Sequence, residues 1–479
     1  MLTAAWVAMR VVLWAAAAVV VISLPRWLPG RVVVLRGWVF TRINGEESIA
    51  VPGDLVGVDR FREVYSHPAA SGRSKGAVLS DLFWYWLSPG PEMHQEHLEA
   101  GERYDAVALA TRRILSRPRA QVEELTRRCV RRTLEGRHGV RHGVRRGVRR
   151  GVRRGVRRGV RHGVVRLRDL MMPAWAEFSY ELVFREPCPP HARDLIVGNA
   201  DDVVTALKCC GLRHMDRRDR LTEYLVESLP RVGHELPPGL TAREQALYLQ
   251  GAFFNTAVVQ MSEATAHVLM ALARHPDVQD RARAGDDRFL DQVIAETLRL
   301  YPLFGIAHRV TTGDISVDEG VAIPAGSVLC FDYPAFHRAG FPEPERFDPG
   351  RFDPGRASVK ELNHIPFGMP ANRPCPAWRL APLAMRVAVR EVLRSYELDS
   401  TAAHTRSLPN RGPCLLTPPG ARRGRGRRLT LLSMRLRDGW EDVWRSLVQL
   451  VLGTYMVWDA RRLRLCERHF SGDARSEST

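Results

Sequence analysis

The sequence predicts a mainly α-helical fold with one small β region, preceded by a membrane-spanning helix and followed by an amphipathic one. Apolar positions recur at helical spacing through residues 122–134, 242–274 and 291–300. Strand-like alternation bounded by turn residues is confined to residues 314–331. The chain also opens on a long apolar run. With 479 residues, of which 45% are apolar, it can bury one large core or two moderate ones, which excludes general disorder.

Residues 2–24 are apolar apart from Arg10 and a few small polar groups, long enough to cross a bilayer as one helix. The positive charges follow the run (Arg26, Arg31, Arg36, Arg42) rather than precede it, which opposes a cleaved signal and keeps the next domain in the cytoplasm. The alternative is a buried core helix. Pro25-Arg26-Trp27-Leu28-Pro29-Gly30 is expected to form a stiff hinge, so residues 1–30 are read as anchor and hinge.

The body is assigned to residues 31–420 and the tail to residues 421–479. The tail begins with a basic spacer, 421–428, and continues as an amphipathic stretch, 429–465. Trp440, Val443, Trp444, Leu447, Val448 and Val451 share one face there, flanked by Arg461, Arg462 and Arg464. Two readings stay open: it lies in a membrane interface, contacting lipid, or it packs on the body.

The net charge of +18 has a local source. Residues 137–164 are seven copies of Arg-(Arg/His)-Gly-Val carrying eleven arginines and no acid, and without them the charge is +7. A glycine in every unit and no regular period predict an expanded, solvated loop. No aromatic is interleaved for base stacking, so no nucleic-acid partner is expected. The eight cysteines form no C-x-x-C pair, which fits a reducing compartment with one cysteine kept for chemistry.

Four signals follow one another in the second half. Glu296 and Arg299 stand three apart on one helical face, which in isolation reads as an ordinary surface pair. His308-Arg309 leads into two short strands, 314–317 and 321–327. A proline-dense meander, Pro342-Glu343-Pro344-Glu345-Arg346-Phe347-Asp348-Pro349, offers Arg346 as a partner for Glu296 and Arg299 in a buried charge network. Last comes Phe367-Gly368-Met369-Pro370-Ala371-Asn372-Arg373-Pro374-Cys375-Pro376, running into an apolar helical segment. A buried structural cysteine is the bland reading of that segment.

Taken together, these segments resemble the E-x-x-R helix, the P-E-R-F meander and the cysteine-ligand loop of the cytochrome P450 family. Residues 406–413 resemble the turn near that family's C-terminal end. The resemblance implies the P450 fold and haem b, iron protoporphyrin IX, with Cys375 as the metal ligand and Phe367 in its loop. It also implies Arg373 and Arg309 on the haem propionates, with His97 and Arg103 as further cofactor contacts. The loop departs from the family pattern, since Phe367 lies eight rather than seven residues before Cys375 and Ala371 and Ala377 replace two glycines. In the distal helix, closed by His275-Pro276, Val259 and Gln260 stand where the family carries an acid-alcohol pair. Gln260 cannot titrate. Thr256 and Glu263 lie one turn to either side of it and are candidate catalytic partners that hold a water between them; the alternative is that Gln260 and Glu263 merely satisfy nearby backbone or solvent.

The function this implies is a haem-thiolate monooxygenase, anchored in the membrane by a single N-terminal pass and facing the cytoplasm. It would oxidise a hydrophobic small molecule with dioxygen and electrons from a separate ferredoxin or flavoprotein reductase. Two rivals predict different outcomes. A peroxide-using or rearranging haem-thiolate enzyme needs no reductase. A non-catalytic haem or ligand scaffold at the membrane depends on the arginine repeat and not on Cys375.

Overall fold

The computed structural model describes residues 2–44, 48–72, 78–135, 163–356, 362–420 and 425–476. Most of the arginine repeat and part of the basic spacer lie outside these residues. The repeat's last two residues, Gly163 and Val164, are not loop, since they open the strand Gly163–Arg166.

The main core is built around the helix Leu167–Phe184, whose side chains are nearly all buried. A helix buried on every side belongs at the centre of a bundle, and this one pairs its buried charges there, Arg168 with Glu263 and both Glu177 and Glu181 with Arg132. This one packs against Arg119–Leu134, Pro190–Leu207 and Val258–Arg274. The stretch 242–274 is helical throughout, as its spacing predicts, but widens into a π segment, Gln250–Ala257, between the helices Ala242–Leu249 and Val258–Arg274. Tertiary contacts hold the widening in place. Gln250 bonds to the Thr222 hydroxyl and the Arg218 carbonyl, Asn255 donates to the carbonyls of Leu87 and Pro89, and Gly251 rests directly on the backbone of Gly90, where a Cβ has no room.

The strands Ile315–Asp318 and Val321–Ile323 form the expected antiparallel hairpin. Val328–Asp332 centres a sheet with Ile49–Val51 parallel on one side and Ile306–Val310 antiparallel on the other. This β region therefore begins earlier than residue 314. A third sheet joins Gly163–Arg166, Pro413–Thr417 and Glu397–Asp399.

The expected hinge is absent. The first helix runs unbroken from Leu2 to Asn44, with Pro25 and Pro29 inside it. It lies parallel to the long helix Arg425–Leu463: Pro25 sits against Gly439, Phe40 against Gly453, and the Arg461 guanidinium caps the Ile43 carbonyl. Support along its length from a neighbouring helix compensates for the hydrogen bonds the prolines cannot make. The helix Arg425–Leu463 in turn packs on the body through Met434, Met456, Val457 and Ala460, not through the face the sequence singled out, of which Trp440, Trp444, Leu447 and Val451 are exposed. A last helix, Leu465–Ser476, is fixed to the helix Val78–Leu87 by Asp81, whose carboxylate accepts the N–H groups of Cys466 and Glu467.

Candidate active site

The cysteine loop starts at Ile365, whose N–H donates to Nε2 of the buried His337 at 3.0 Å. Gly368 adopts φ +71°, a left-handed conformation that glycine takes without strain, and Arg373 adopts φ +49°. Between them Met369 and Asn372 pair across a tight turn that accommodates the extra residue. Asn372 Nδ2 ties the turn to the carbonyls of Tyr65 (2.8 Å) and Ala70 (2.9 Å). The Cys375 N–H donates to the Phe367 carbonyl at 2.8 Å, so the lengthened loop still closes on itself. Phe367 packs its ring against the main core.

The Cys375 thiol is half-buried, and burial pushes its pKa up to about 11 while the backbone N–H of Ala377 pulls it down. Without metal it is a thiol; iron would have to displace its proton.

Two buried guanidinium groups stand beside this loop. Arg373 donates to the carbonyls of Gln95 (2.8 Å), Leu98 (2.7 Å) and Ser71 (3.1 Å), with its guanidinium 4.9 Å from the centre of the Tyr104 ring. Arg309, on the strand Ile306–Val310, reaches Glu96 at 3.5 Å and lies over the Tyr65 ring. Burial, and then repulsion from Arg309, lower the pKa of Arg373, with Glu96 opposing. One carboxylate thus serves two buried cations. Arg309 Nε and Gln95 Oε1 are buried with no hydrogen-bond partner among the described residues. Arg309 Nε, a buried donor beside the Arg373 guanidinium, is what a carboxylate of haem would satisfy, with the sulfur of Cys375 as iron ligand, so these residues fit the group; Gln95 Oε1 is an acceptor and would take no part in holding a carboxylate.

His97 belongs to the turn that wraps Arg373 and contacts the rings of Trp84 and His94. Arg103 is a correction. It is exposed and paired with Glu244, which with Thr241 forms the capping box of the helix Ala242–Leu249, so it fastens two helices rather than a cofactor.

Glu296 and Arg299 are fully buried and bidentate, at 2.6 and 2.9 Å. Burial raises the pKa of Glu296, and Arg299 works against that rise. Their third partner is not Arg346, whose guanidinium is exposed and paired with Glu343. Arg346 offers only its carbonyl to Arg299. The cation is Arg351, 3.6 Å from Glu296, and the Asp348 N–H completes the set at 2.9 Å. The turn from Glu343 to Arg346 explains the correction, because it directs the Arg346 side chain back along the exposed side of the loop. The sequence held a signal for Arg351, since Pro344-Glu345-Arg346-Phe347 is followed by a second copy of the pattern, Pro349-Gly350-Arg351-Phe352.

On the distal helix, Thr256 and Gln260 are half-buried, and their side chains have no hydrogen-bond partner among the described residues. Glu263 does not join them. It is buried and held by Arg168 at 3.1 Å and by Lys208. Burial lowers the Lys208 pKa to about 8, with Glu263 opposing. Sequence reasoning missed both cations, and only the lysine left a trace. Lys208 is one of three lysines in an arginine-rich chain, whereas Arg168, set between Arg166 and Asp169, is one charge among several.

Residues 239–422 match the family model of cytochrome P450. The chain is 34% identical over 190 residues to the putative cytochrome P450 135B1 of Mycobacterium tuberculosis, which covers 36% of this chain and 39% of that protein. It is 36% identical over 158 residues to cytochrome P450 3A9 of Rattus norvegicus, covering 29% and 31% of the two. The chain thus spans two fifths or less of the length of these curated relatives. Among solved structures, a variant of cytochrome P450 OleT in complex with arachidonic acid superposes with TM-score 0.60 at 14% identity, over 79% of this chain and 90% of that one. A variant of cytochrome P450SP alpha gives 0.59 at 16%, over 75% and 89%. At such identities the likeness speaks to the fold.

Proposed function

Because this chain belongs to the cytochrome P450 superfamily, whose cofactor is haem b, we propose that it is a haem-thiolate monooxygenase acting on a hydrophobic small molecule. The observation that carries the proposal is the grouping of Cys375 with the two buried arginines, Arg309 and Arg373, both of which feel Glu96. Arg373 and Arg309 would hold the propionates and Cys375 the iron. Bound haem supplies the activation of dioxygen, and the net reaction takes one substrate C–H, O2, two electrons and two protons to an alcohol and water. The electrons come from a separate ferredoxin or flavoprotein reductase. The chain's own part on the distal side falls to Thr256 and Gln260, which have free hydrogen-bonding capacity and can position a water without titrating. The N-terminal helix, whose residues 13–43 are long and apolar enough to enter a bilayer, is read as the anchor that keeps the body on the cytoplasmic side.

The first test is the absorption spectrum of the reduced, carbon-monoxide-bound protein. A strongly red-shifted Soret band is expected, and Cys375→Ala should abolish the shift. If the variant keeps the band of the parent, Cys375 is not the ligand. A second reading, direct use of peroxide, is favoured by the distal helix itself, since the one acid near Gln260 is already engaged by two cations. Turnover with dioxygen and a reductase separates the two; turnover with peroxide alone would replace the first reading by the second.

A further inference from the structure

The helix Arg425–Leu463 has two unlike faces. Toward the body it buries Met434, Met456, Val457 and Ala460. All four of its acids are engaged: Asp438 with the Ala403 N–H and Asn410, Glu441 with Arg166 and Arg445, Asp442 with Arg445, and Asp459 with Tyr85 and Arg462. The other face exposes Leu429, Leu432, Leu436, Trp440, Trp444, Leu447, Val451, Tyr455 and Trp458. These positions are spaced three or four apart, so they form one unbroken stripe.

Beside it the parallel helix Leu2–Asn44 exposes Trp14, Ile22, Trp27, Val34 and Trp38 and contains no acid. The exposed Arg26, Arg31, Arg42, Arg428 and Arg435 of this two-helix surface have no acidic partner among the described residues, while the exposed Arg437 and Arg462 pair with acids of their own helix. Large apolar groups, indoles and unneutralised arginines together match the phosphate and acyl boundary of a bilayer.

We propose that the helix Arg425–Leu463 is a second membrane element, whose outward face rests along the lipid interface beside the N-terminal helix. It lies along the bilayer rather than across it, and the N-terminal helix packed parallel to it lies in the same plane. Its 39 residues measure about 58 Å at about 1.5 Å per residue, roughly twice the hydrocarbon thickness. The body is fastened to its inner face at both ends, by Arg427 to Asp399 and Thr401 to the Leu431 carbonyl near the start and by Tyr85 to Asp459 near the finish. A crossing orientation would drag these polar contacts into hydrocarbon. The inference is independent of the haem chemistry.

The experiment uses the full-length, haem-loaded chain in phosphatidylcholine–phosphatidylglycerol vesicles with brominated acyl chains, which quench only indoles in contact with lipid. The chain is compared with its Trp440→Phe, Trp444→Phe, Trp458→Phe variant, which keeps the apolar face and removes three of the seven exposed indoles on the two helices. The lipid-quenchable emission is expected to fall by close to that proportion, with iodide quenching unchanged. If iodide quenching falls instead, the stripe faces water. If neither changes, another protein or a second copy covers it. Either result overturns the proposal.

Discussion

Arg346 and Arg351 sit in twin Pro-x-Arg-Phe segments, yet only Arg351 reaches the buried Glu296. Replacing Arg351 with alanine leaves that carboxylate with fewer charge-assisted partners and should cost about 1–3 kcal/mol. Replacing Arg346 removes only an exposed pair and should stay within about 0.5 kcal/mol. Denaturant midpoints of the two variants check this, and equal losses would return Arg346 to the network. At this scale the sequence was most legible where a role depends on local chemistry. Cys375, Arg373, Glu296 and Arg299 stand out because a short loop and one helical turn define their surroundings. Arg103 misled because the partner that claims it, Glu244, lies far along the chain.

Among the elements, the distal helix was legible as a helix and illegible in detail. Its period is local, whereas the π segment depends on Gly90, Leu87 and Arg218, which no spacing rule connects to it. The same holds for the strand Ile306–Val310, whose partner is another strand. Glu263 shows the consequence. Removing it by Glu263→Ala leaves the buried Arg168 and Lys208 without their shared acid, and the loss should approach about 3–5 kcal/mol. Gln260→Ala deletes a half-buried group with no bonded partner, so stability should move by about 0.5 kcal/mol or less while product formed per electron consumed declines. Thermal or urea unfolding measured beside that product-to-electron ratio separates the two roles. A Glu263 variant of parental stability would put that acid back in the distal water site.

Across the whole molecule, two distant clusters tie stability to pH in the same direction. Burial lowers the pKa of His267 to about 3 and of His404 to about 2, and their rings share one hydrogen bond at 3.0 Å beneath Tyr301. Burial also lowers His337 to about 3 and His364 well below the ordinary value, and the neutral His337 accepts the Ile365 N–H at the start of the cysteine loop. Each of these groups binds a proton more readily in the unfolded chain, near pH 6.5, than in the fold. Their contribution is therefore complete above about pH 6.5 and is lost as pH falls below it, by up to about 1.4 kcal/mol per unit for each histidine. Buried Glu296 acts with the opposite sign, its raised pKa favouring the fold on acidification, as do the raised carboxyls of Asp81, Glu177, Asp291 and Asp442; the histidines act first as pH falls, because their unfolded value near 6.5 lies above the ordinary carboxylate range. Urea midpoints should thus fall steeply between pH 7 and pH 5. His337 stays neutral in the folded chain over that interval and keeps the Ile365 N–H, so the Soret band of the haem-loaded chain should fade only as the chain unfolds. A midpoint that holds level to pH 5 would mean that these four rings are charged or solvated in the native state, and the packing of both clusters would have to be redrawn.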